Sequence, residues 1–211
     1  DEEIARIARH AGAQVPFMRS ENTANDYATT ADVILEVLES YERIGKKFDQ
    51  VCCIYPTAPF VTANALKTAM MLLEQEKSDC VIPVVKFSFP PQRCVVINQG
   101  RLTPKWPENM KVRSQDLEPF YHDCGQFYCL DVRKFQEQKV IWMKDVVPFI
   151  QDESTVQDID TLEDLISSEW MKMICEQVDQ TLNDLEMIRK EALKVANSPY
   201  GPWMYADALE Q

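Results

Sequence analysis

The feature that most constrains the fold is a continuous apolar run at residues 51–55, which ends at Pro56. A run of this length without polar alternation is typical of a strand buried on both faces, as the strands of parallel sheets are. Residues 80–85 form a second run of the same kind. Apolar residues at helical spacing surround these runs: Ile4, Ile7, Ala8 and Ala11; Ile34, Val37, Leu38 and Tyr41; Leu66, Ala69, Met70 and Leu73. The alternation predicts an α/β fold in which helices flank a parallel-rich sheet.

The middle and the end of the chain depart from this alternation. Residues 93–102 are typical of a β-hairpin with a glycine turn, and the prolines on both sides predict that it projects from the main sheet. Residues 125–130 and 146–150 are predicted to form further strands of the sheet. Apolar residues spaced three to five apart predict a long amphipathic helix over about 161–196, followed by a tail at 198–211.

Composition narrows the classes of function. The formal net charge of −12 disfavours a nucleic-acid binder, which would present a basic face. The sequence contains no run that reaches the roughly 20 apolar residues needed to span a bilayer. Its seven cysteines are scattered without a CxxC pair, which disfavours a zinc site or a dithiol redox motif and favours a reducing compartment. We therefore expect a cytoplasmic protein whose partners include neither nucleic acid nor a membrane.

Two carboxylates at alternate positions form the strongest local chemical pattern. Asp158 and Asp160 would face the same side of an extended backbone. Paired carboxylates without basic neighbours suit a hard cation, Mg²⁺ above all. The alternative is structural: Asp160 or Thr161, followed by Glu163 or Asp164, would cap the terminal helix.

A second group of polar residues suits an acidic sugar. Arg113 can bind a carboxylate or phosphate through two parallel hydrogen bonds, and Gln115 and Asp116 suit sugar hydroxyls. The alternative is a polar loop beside two aromatic residues, Phe127 and Tyr128, that enter the core.

Further candidates follow the predicted strands, where ligands bind in open α/β sheets. Arg19 precedes a polar loop that runs to Thr30, and a rigid loop with two prolines follows Tyr55. Gln92 and Arg93 lie just before the predicted hairpin. For each of these residues the alternative is a solvated side chain or a rigid turn without a ligand.

Taken together, these segments resemble motifs of the acylneuraminate cytidylyltransferases, the family of the CMP-sialic acid synthetases. The similarity covers about residues 1–170, and the run Tyr-His-Asp-Cys-Gly-Gln-Phe-Tyr is most similar to the pseudaminic-acid branch. The motifs stand in family order at residues 15–19, 53–60, 113–117, 121–128 and 157–164.

The resemblance implies a Rossmann-like nucleotidyltransferase fold and a homodimer, with the hairpin reaching toward the other subunit. It implies that CMP passes from CTP to a nine-carbon keto-sugar acid, pseudaminic or sialic acid, with release of pyrophosphate. It assigns catalysis and Mg²⁺ binding to Asp158 and Asp160, and places Arg19, Ala28 and Thr30 beside the cytidine. The expected substrate-binding residues are Tyr55, Gln92, Arg93, Arg113, Gln115, Asp116 and Phe127.

The same comparison predicts a cytidylyltransferase domain at 1–170 and a helical extension with a tail at 171–211. It also predicts that the family's first strand and phosphate-binding loop are missing from the N-terminus, which would leave the triphosphate half of the site incomplete. Two alternatives follow. One is a catalytically incomplete fragment that serves as a binding or oligomerisation module; the other is a nucleotidyltransferase for a different sugar.

Overall fold

The computed structural model describes residues 1–157, 159, 161–164, 166, 169, 173, 176, 180, 186, 187 and 190. The chain divides into two compact units, Asp1–Asp158 and Ile159–Gln211. The predicted domain boundary at residue 170 stays a prediction, because compactness does not test where the family domain ends. In the part of the chain that the structure describes, no helix is both long enough and apolar enough to cross a membrane.

The helices of the first unit begin where the sequence supplies a capping side chain. They are α1 (Glu2–His10), α2 (Thr30–Arg43), α3 (Ala63–Glu76) and α4 (Val132–Gln138). Their N-caps, which accept hydrogen bonds from backbone amides of the first turn, are Asp1, Thr29, Thr62 and Asp131. At α2 the cap is reciprocal, because Asp32 also accepts from the Thr29 amide.

The described strands form a main sheet and a separate hairpin. The main sheet contains β1 (Gln50–Ile54), β2 (Cys80–Lys86), β5 (Tyr121–Asp123), β6 (Phe127–Asp131) and β7 (Val146–Gln151). The hairpin pairs β3 (Val95–Asn98) with β4 (Arg101–Pro104). Its turn residues Gln99 and Gly100 both have positive φ, 50° and 73°, as a two-residue hairpin turn of this hand requires. The predicted hairpin is therefore confirmed, with its turn at the predicted glycine.

Strand direction differs from the expected parallel-rich sheet. Among the described strands, β2–β7 is a parallel pair, whereas β1–β6, β2–β6 and β2–β5 are antiparallel. The cause is the insertion of β6 between β1 and β2 with the opposite direction. An apolar run predicts burial and says nothing about direction: β6 is buried like β2, although it runs the opposite way. The burial predicted for both faces of residues 51–55 is wrong, because β1 is only half-buried and Ile54 is exposed. The coarser prediction, an α/β fold, is confirmed.

Helices cover both faces of the main sheet. Alternate residues of β2 face opposite sides, so that Ile82 packs with α2 and α4 while Val81 packs with α3. The helical residues buried on these two faces are Ala31, Ile34 and Leu38 of α2, Val132 and Phe135 of α4, and Ala69 and Leu73 of α3. By contrast, the apolar stripe predicted for α1 is largely exposed, at 68% for Ile4 and 54% for Ile7.

In the second unit, Thr161 begins a helix. The Thr161 amide and hydroxyl both donate to Asp164 Oδ2 at 2.8 Å, and the Asp164 amide donates back to Thr161 Oγ1 at 3.2 Å. Every described residue from Leu162 to Lys190 is helical, as predicted. The expected stripe beyond Ile166 and the expected tail at 198–211 lie outside the described residues.

Candidate active site

Three strands of the main sheet end on the same side. β1 and β2 are both antiparallel to β6, and β7 is parallel to β2, so β1, β2 and β7 run in one direction. Tyr55 directly follows β1, Gln92 and Arg93 lie on the connection that leaves β2, and the chain after β7 leads to Asp158. The predicted site segments therefore leave the sheet at its common carboxyl end, which is where open α/β sheets bind ligands.

At this end, the hydroxyls of Thr30 and Tyr55 are hydrogen-bonded, with Thr30 Oγ1 and Tyr55 Oη 2.5 Å apart. Thr30 is the first residue of α2, and Tyr55 is held by its amide, which donates to the Gln126 carbonyl at 2.8 Å. Both side chains are half-buried. The structure thus brings together one residue assigned to the cytidine and one assigned to the sugar acid.

Tyr128 extends this contact into the sheet. Its ring meets the Tyr55 ring edge to face, with centroids 5.4 Å apart and planes at 79°. The Tyr128 hydroxyl donates to Asp123 Oδ2 at 2.7 Å, and the Gly125 amide donates to Asp123 Oδ1 at 2.9 Å. Burial raises the pKa of Tyr128, and the hydrogen bond to Asp123 and its negative charge raise it further. Tyr128 is therefore a fixed, protonated support for Tyr55.

Most of the predicted sugar-binding residues form one exposed patch. Arg113 and Asp116 make a two-pronged ion pair, with Nε–Oδ2 at 2.7 Å and Nη2–Oδ1 at 3.0 Å. Arg93 Nη1 donates to Ser114 Oγ at 2.9 Å, which joins Arg93 to the same short 3-10 turn. Gln115 is exposed between these groups. Asp116 therefore orients the Arg113 guanidinium rather than offering both of its oxygens to a ligand.

A cleft of about 340 Å³ opens beside Arg93. It is lined by Phe89, Pro90, Pro91, Arg93, Cys94, Met110 and Ser114. The buried side chain of Gln92 ties the chain beside the cleft to residue 118, because its Nε2 donates to the Glu118 carbonyl at 2.7 Å. The buried Gln92 Oε1 has no hydrogen-bond partner among the described residues, so this amide retains an acceptor.

Arg19 and Ala28, which were predicted to border the cytidine, lie on the connection between α1 and α2. Arg19 Nη1 donates to the Thr23 carbonyl at 2.7 Å, and the Ala28 amide donates to Asn25 Oδ1 at 3.1 Å. Both contacts are local, and they give this polar connection a defined shape.

Glu36 of α2 holds that connection in place. Its carboxylate accepts hydrogen bonds from the Ser20 amide at 2.6 Å, from the Ser20 hydroxyl at 2.9 Å and from the Thr23 hydroxyl. The Thr23 and Ser20 hydrogen bonds, together with the positive charge of Arg19, lower the pKa of Glu36. The carboxylate is therefore kept ionised next to Arg19.

Phe127 does not belong to the site. Its side chain is fully buried in the cluster formed with α3, beside Val81 and Cys129. It lies opposite Ile54 in the β1–β6 ladder and points to the face of the sheet opposite to Tyr128. The expectation that Phe127 contacts substrate is corrected on this ground, because a side chain without exposed surface has none to offer a ligand.

The predicted metal ligands Asp158 and Asp160 lie outside the described residues. Within the described residues, no three His, Cys, Asp or Glu side chains are grouped to hold a metal ion. The turn that precedes them, Glu153–Thr155, is held by Asp152 Oδ1, which accepts from the Ser154 amide at 2.9 Å. After them, Thr161 and Asp164 form the reciprocal cap that was considered as the alternative for this segment.

The sequence predicted no individual role for Glu36, Asp123 or Gln126, although Asp123 and Gln126 belong to the family motif at residues 121–128. The signal for Asp123 was present, since an aspartate two residues before a glycine is typical of a side-chain-capped turn. Glu36 and Gln126 carried no local signal, because their partners lie 13 or more residues away in the chain.

Comparison with known proteins identifies relatives over most of the chain. A pseudaminic acid cytidylyltransferase of Campylobacter jejuni is 34% identical over 166 residues, which cover 78% of this chain and 72% of the relative. A CMP-N,N'-diacetyllegionaminic acid synthase of Legionella pneumophila is 26% identical over 162 residues, covering 75% of this chain and 69% of the relative. A Helicobacter pylori protein named as a pseudaminic acid cytidylyltransferase and a hydrolase is 29% identical over 158 residues, covering 74% of this chain and 30% of its own length. No family model matches the chain.

Proposed function

The chain belongs to the acylneuraminate cytidylyltransferase family, and we propose that it transfers CMP from CTP to a nine-carbon sugar acid, with pseudaminic acid as the first candidate. The relatives named for pseudaminic acid reach 34% identity, against 26% for the one named for legionaminic acid. The structural observation that carries the proposal is the common carboxyl end of β1, β2 and β7. It gathers Tyr55, Arg93 and the chain leading to Asp158, all of which the resemblance assigns to the site.

In the proposed reaction, the anomeric oxygen of the sugar acid attacks the α-phosphorus of CTP. The new oxygen–phosphorus bond forms as the bond to the pyrophosphate oxygen breaks, and the hydroxyl proton passes to solvent. Such a displacement needs no protein nucleophile, so the side chains act by binding and orienting the two substrates and by neutralising charge.

On the sugar side, we propose that the patch around Arg113 binds the substrate carboxylate. Asp116 holds one edge of the Arg113 guanidinium in a fixed orientation, which leaves the remaining N–H groups for a ligand. Arg93 adds a second positive charge beside the cleft. The apolar side chains of Phe89 and Met110 in the same cleft suit methyl and acetamido groups of a deoxygenated sugar acid.

On the nucleotide side, we propose that Arg19, Ala28 and Thr30 border the cytidine. Glu36 supports this role by fixing the Ser20 end of the connection. Thr30 stands at the N-terminal end of α2, where free backbone amides and the helix dipole favour anionic groups. The hydrogen bond from Thr30 to Tyr55 would connect the nucleotide and sugar sides.

We propose that Asp158 and Asp160 hold a divalent cation, Mg²⁺ by preference. The donor set suits this ion, because carboxylate oxygens are the ligands that Mg²⁺ prefers. When bound, the ion offsets negative charge on the triphosphate. The two aspartates follow β7 in the chain, and β7 ends on the side of the sheet where β1 and β2 also end.

We also propose that the sheet is the Rossmann-like core of the family and that the hairpin β3–β4 contacts a second copy of the chain. The three co-directional strands and the helices on both faces support the first point. The apolar surface of the hairpin supports the second: Ile97 is 74% exposed and Leu102 69%. Such a surface on a projecting element is typical of an interface.

The function is tested by product analysis. The chain is incubated with Mg²⁺ and each of the four ribonucleoside triphosphates, using pseudaminic, legionaminic and N-acetylneuraminic acids in turn. We expect pyrophosphate and a CMP-linked sugar with CTP only, and the highest kcat/KM with pseudaminic acid. A larger kcat/KM with another sugar acid would show that this acid, and not pseudaminic acid, is the preferred substrate. Turnover with another triphosphate would contradict the cytidine assignment.

The dimer is tested by light scattering of wild type and of the double variant Ile97→Asp, Leu102→Asp. Both positions are on the exposed hairpin, so the fold should tolerate the charges. We expect the wild type at twice the chain mass and the variant at the chain mass. A wild-type dimer that persists in the variant would place the interface elsewhere.

A further inference from the structure

Gln126 links three segments at the end of the sheet where the site residues gather. Its side chain is 1% exposed. The Gln126 Nε2 donates to the Thr155 carbonyl at 3.0 Å, and its Oε1 accepts from Gln151 Nε2 at 2.8 Å. Its own carbonyl accepts from the Tyr55 amide at 2.8 Å. One residue therefore ties the end of β1 to the end of β7 and to the turn that follows β7.

The hydrogen bond to Thr155 matters because Thr155 lies close to Asp158 in the sequence. Thr155 is the last residue of the turn Glu153–Thr155 and stands three residues before Asp158. Three residues reach at most about 11 Å, so a fixed carbonyl at Thr155 limits where the Asp158 backbone can lie.

The other side-chain contacts described for the turn are exposed. Asp152 Oδ1 accepts from the Ser154 amide and hydroxyl, the Thr155 hydroxyl donates to the Asp152 carbonyl at 2.8 Å, and Ser88 Oγ donates to Glu153 Oε1 at 2.7 Å. The Gln126 bond is part-buried, and a hydrogen bond inside the protein is electrostatically stronger than one exposed to water. Among the side-chain contacts described for this turn, the one from Gln126 is therefore the strongest restraint.

We propose that Gln126 is a positioning residue for the metal site: it fixes the backbone that leads to Asp158 and so sets the affinity of the chain for a divalent cation. This inference rests on the proposed role of Asp158 as a metal ligand. Gln126 itself touches neither metal nor substrate in this account, and it acts through the Thr155 carbonyl. Mutation of residues that orient metal ligands without touching the metal commonly weakens metal binding about 10- to 100-fold.

A buried glutamine can also serve the stability of the fold alone, and the chain offers a matched control for that role. The Gln138 Nε2 donates to Asp79 Oδ2 at 2.7 Å, and its Oε1 accepts from the Lys144 amide at 2.9 Å. Gln138 therefore bridges two segments through the same two atoms as Gln126, but it is the last residue of α4 and lies outside the candidate site. Substitution of either glutamine by methionine keeps the length of the side chain and removes both hydrogen bonds.

The experiment compares wild type, Gln126→Met and Gln138→Met in the full chain. Mn²⁺ serves as the probe and is titrated without nucleotide, with binding read by water-proton relaxation. Hydrogen exchange of peptides that cover residues 152–157 reports the restraint on the turn, and thermal unfolding reports stability. We expect both variants to lose stability. Only Gln126→Met should bind Mn²⁺ about tenfold more weakly and exchange the 152–157 amides faster.

The outcomes separate this proposal from the one on which it rests. A wild-type chain that binds no Mn²⁺ would remove the metal assignment itself, and the Gln126 proposal with it. A wild type that binds Mn²⁺ and a Gln126→Met variant with unchanged affinity would overturn the Gln126 proposal alone. If Gln126→Met fails to fold, Gln151→Met provides the test, since it removes only the hydrogen bond that orients the Gln126 amide. A smaller loss of Mn²⁺ affinity in Gln151→Met would support the proposal, and no loss would contradict it.

Discussion

The hydroxyl oxygens of Thr30 and Tyr55 lie 2.5 Å apart and join the first turn of α2 to the residue after β1. The Tyr55 ring is held edge-on by Tyr128, whose own hydroxyl is committed to Asp123. In the proposed enzyme, this hydrogen bond spans the nucleotide and sugar sides. A substitution at either residue should therefore change the kinetic constants for both substrates.

The variants Thr30→Val and Tyr55→Phe remove this hydrogen bond from opposite ends. A net contribution of about 1 kcal/mol corresponds to a loss of about fivefold in kcat/KM for each single variant. Because the two hydroxyls serve one bond, the double variant should lose little more than either single one. Steady-state kinetics for CTP and for the sugar acid measure the coupling. Losses that multiply in the double variant would show that the two hydroxyls act independently.

Arg113→Lys should raise the KM for the sugar acid about tenfold and leave the KM for CTP nearly unchanged. A lysine ammonium cannot reproduce the two-pronged contact that orients the guanidinium on Asp116, nor the planar recognition of a carboxylate. Arg133→Lys is the control, since Arg133 makes an exposed ion pair with Glu137 at 3.0 Å on α4. An equal rise in the KM for CTP would contradict the sugar-side assignment of Arg113.

Glu36→Gln should lower the Tm of the chain at neutral pH, and this difference from the wild type should disappear in acid. The hydrogen bonds from Thr23 and Ser20 lower the pKa of Glu36 in the folded state. A carboxyl group with a lowered folded pKa stabilises the fold above its ordinary pKa, and the stabilisation is lost as the pH falls through the lowered value. The difference in Tm between wild type and variant should therefore be largest at pH 7 and shrink below about pH 4. A difference that stays constant from pH 7 to pH 3 would contradict the account.

Thiol reactivity should separate the cysteines of the first unit. Burial raises the pKa of the Cys80 and Cys124 thiols to about 12, with a further contribution from the charge of Asp123. Cys94 is exposed on the segment before the hairpin. At pH 8, iodoacetamide should modify Cys94 first and reach Cys80 and Cys124 only in denaturant. Mass mapping of the alkylated peptides provides the readout, and early labelling of Cys80 in the native chain would contradict its burial.

Local signals predicted the elements well. Thr29 and Thr62 are residue types that favour helix N-caps and cap α2 and α3, Gly100 makes the predicted hairpin turn, and the predicted apolar runs at β1 and β2 are strands. These features depend on backbone geometry within a few residues, which side-chain type largely determines.

Features that depend on tertiary contact were harder to predict. The direction of β6 depends on how the chain returns to the sheet after the hairpin, and the residue types of β6 do not indicate this direction. The neighbours Gln126 and Phe127 show the same limit: both are fully buried, yet one ties together site segments and the other fills the core against α3. The hydrogen bond between Thr30 and Tyr55 joins residues 25 positions apart, so sequence spacing did not indicate it.

The most direct test of the central claim is a mass-spectrometric assay of CMP transfer by the purified full chain. The chain is mixed with CTP, Mg²⁺ and pseudaminic acid, with Asp158→Asn as the matched variant. The account predicts CMP-pseudaminic acid and pyrophosphate in equal amounts from the wild type, and at least about tenfold less from the variant. A folded wild type that forms no CMP-linked sugar, or a variant as active as the wild type, would contradict it.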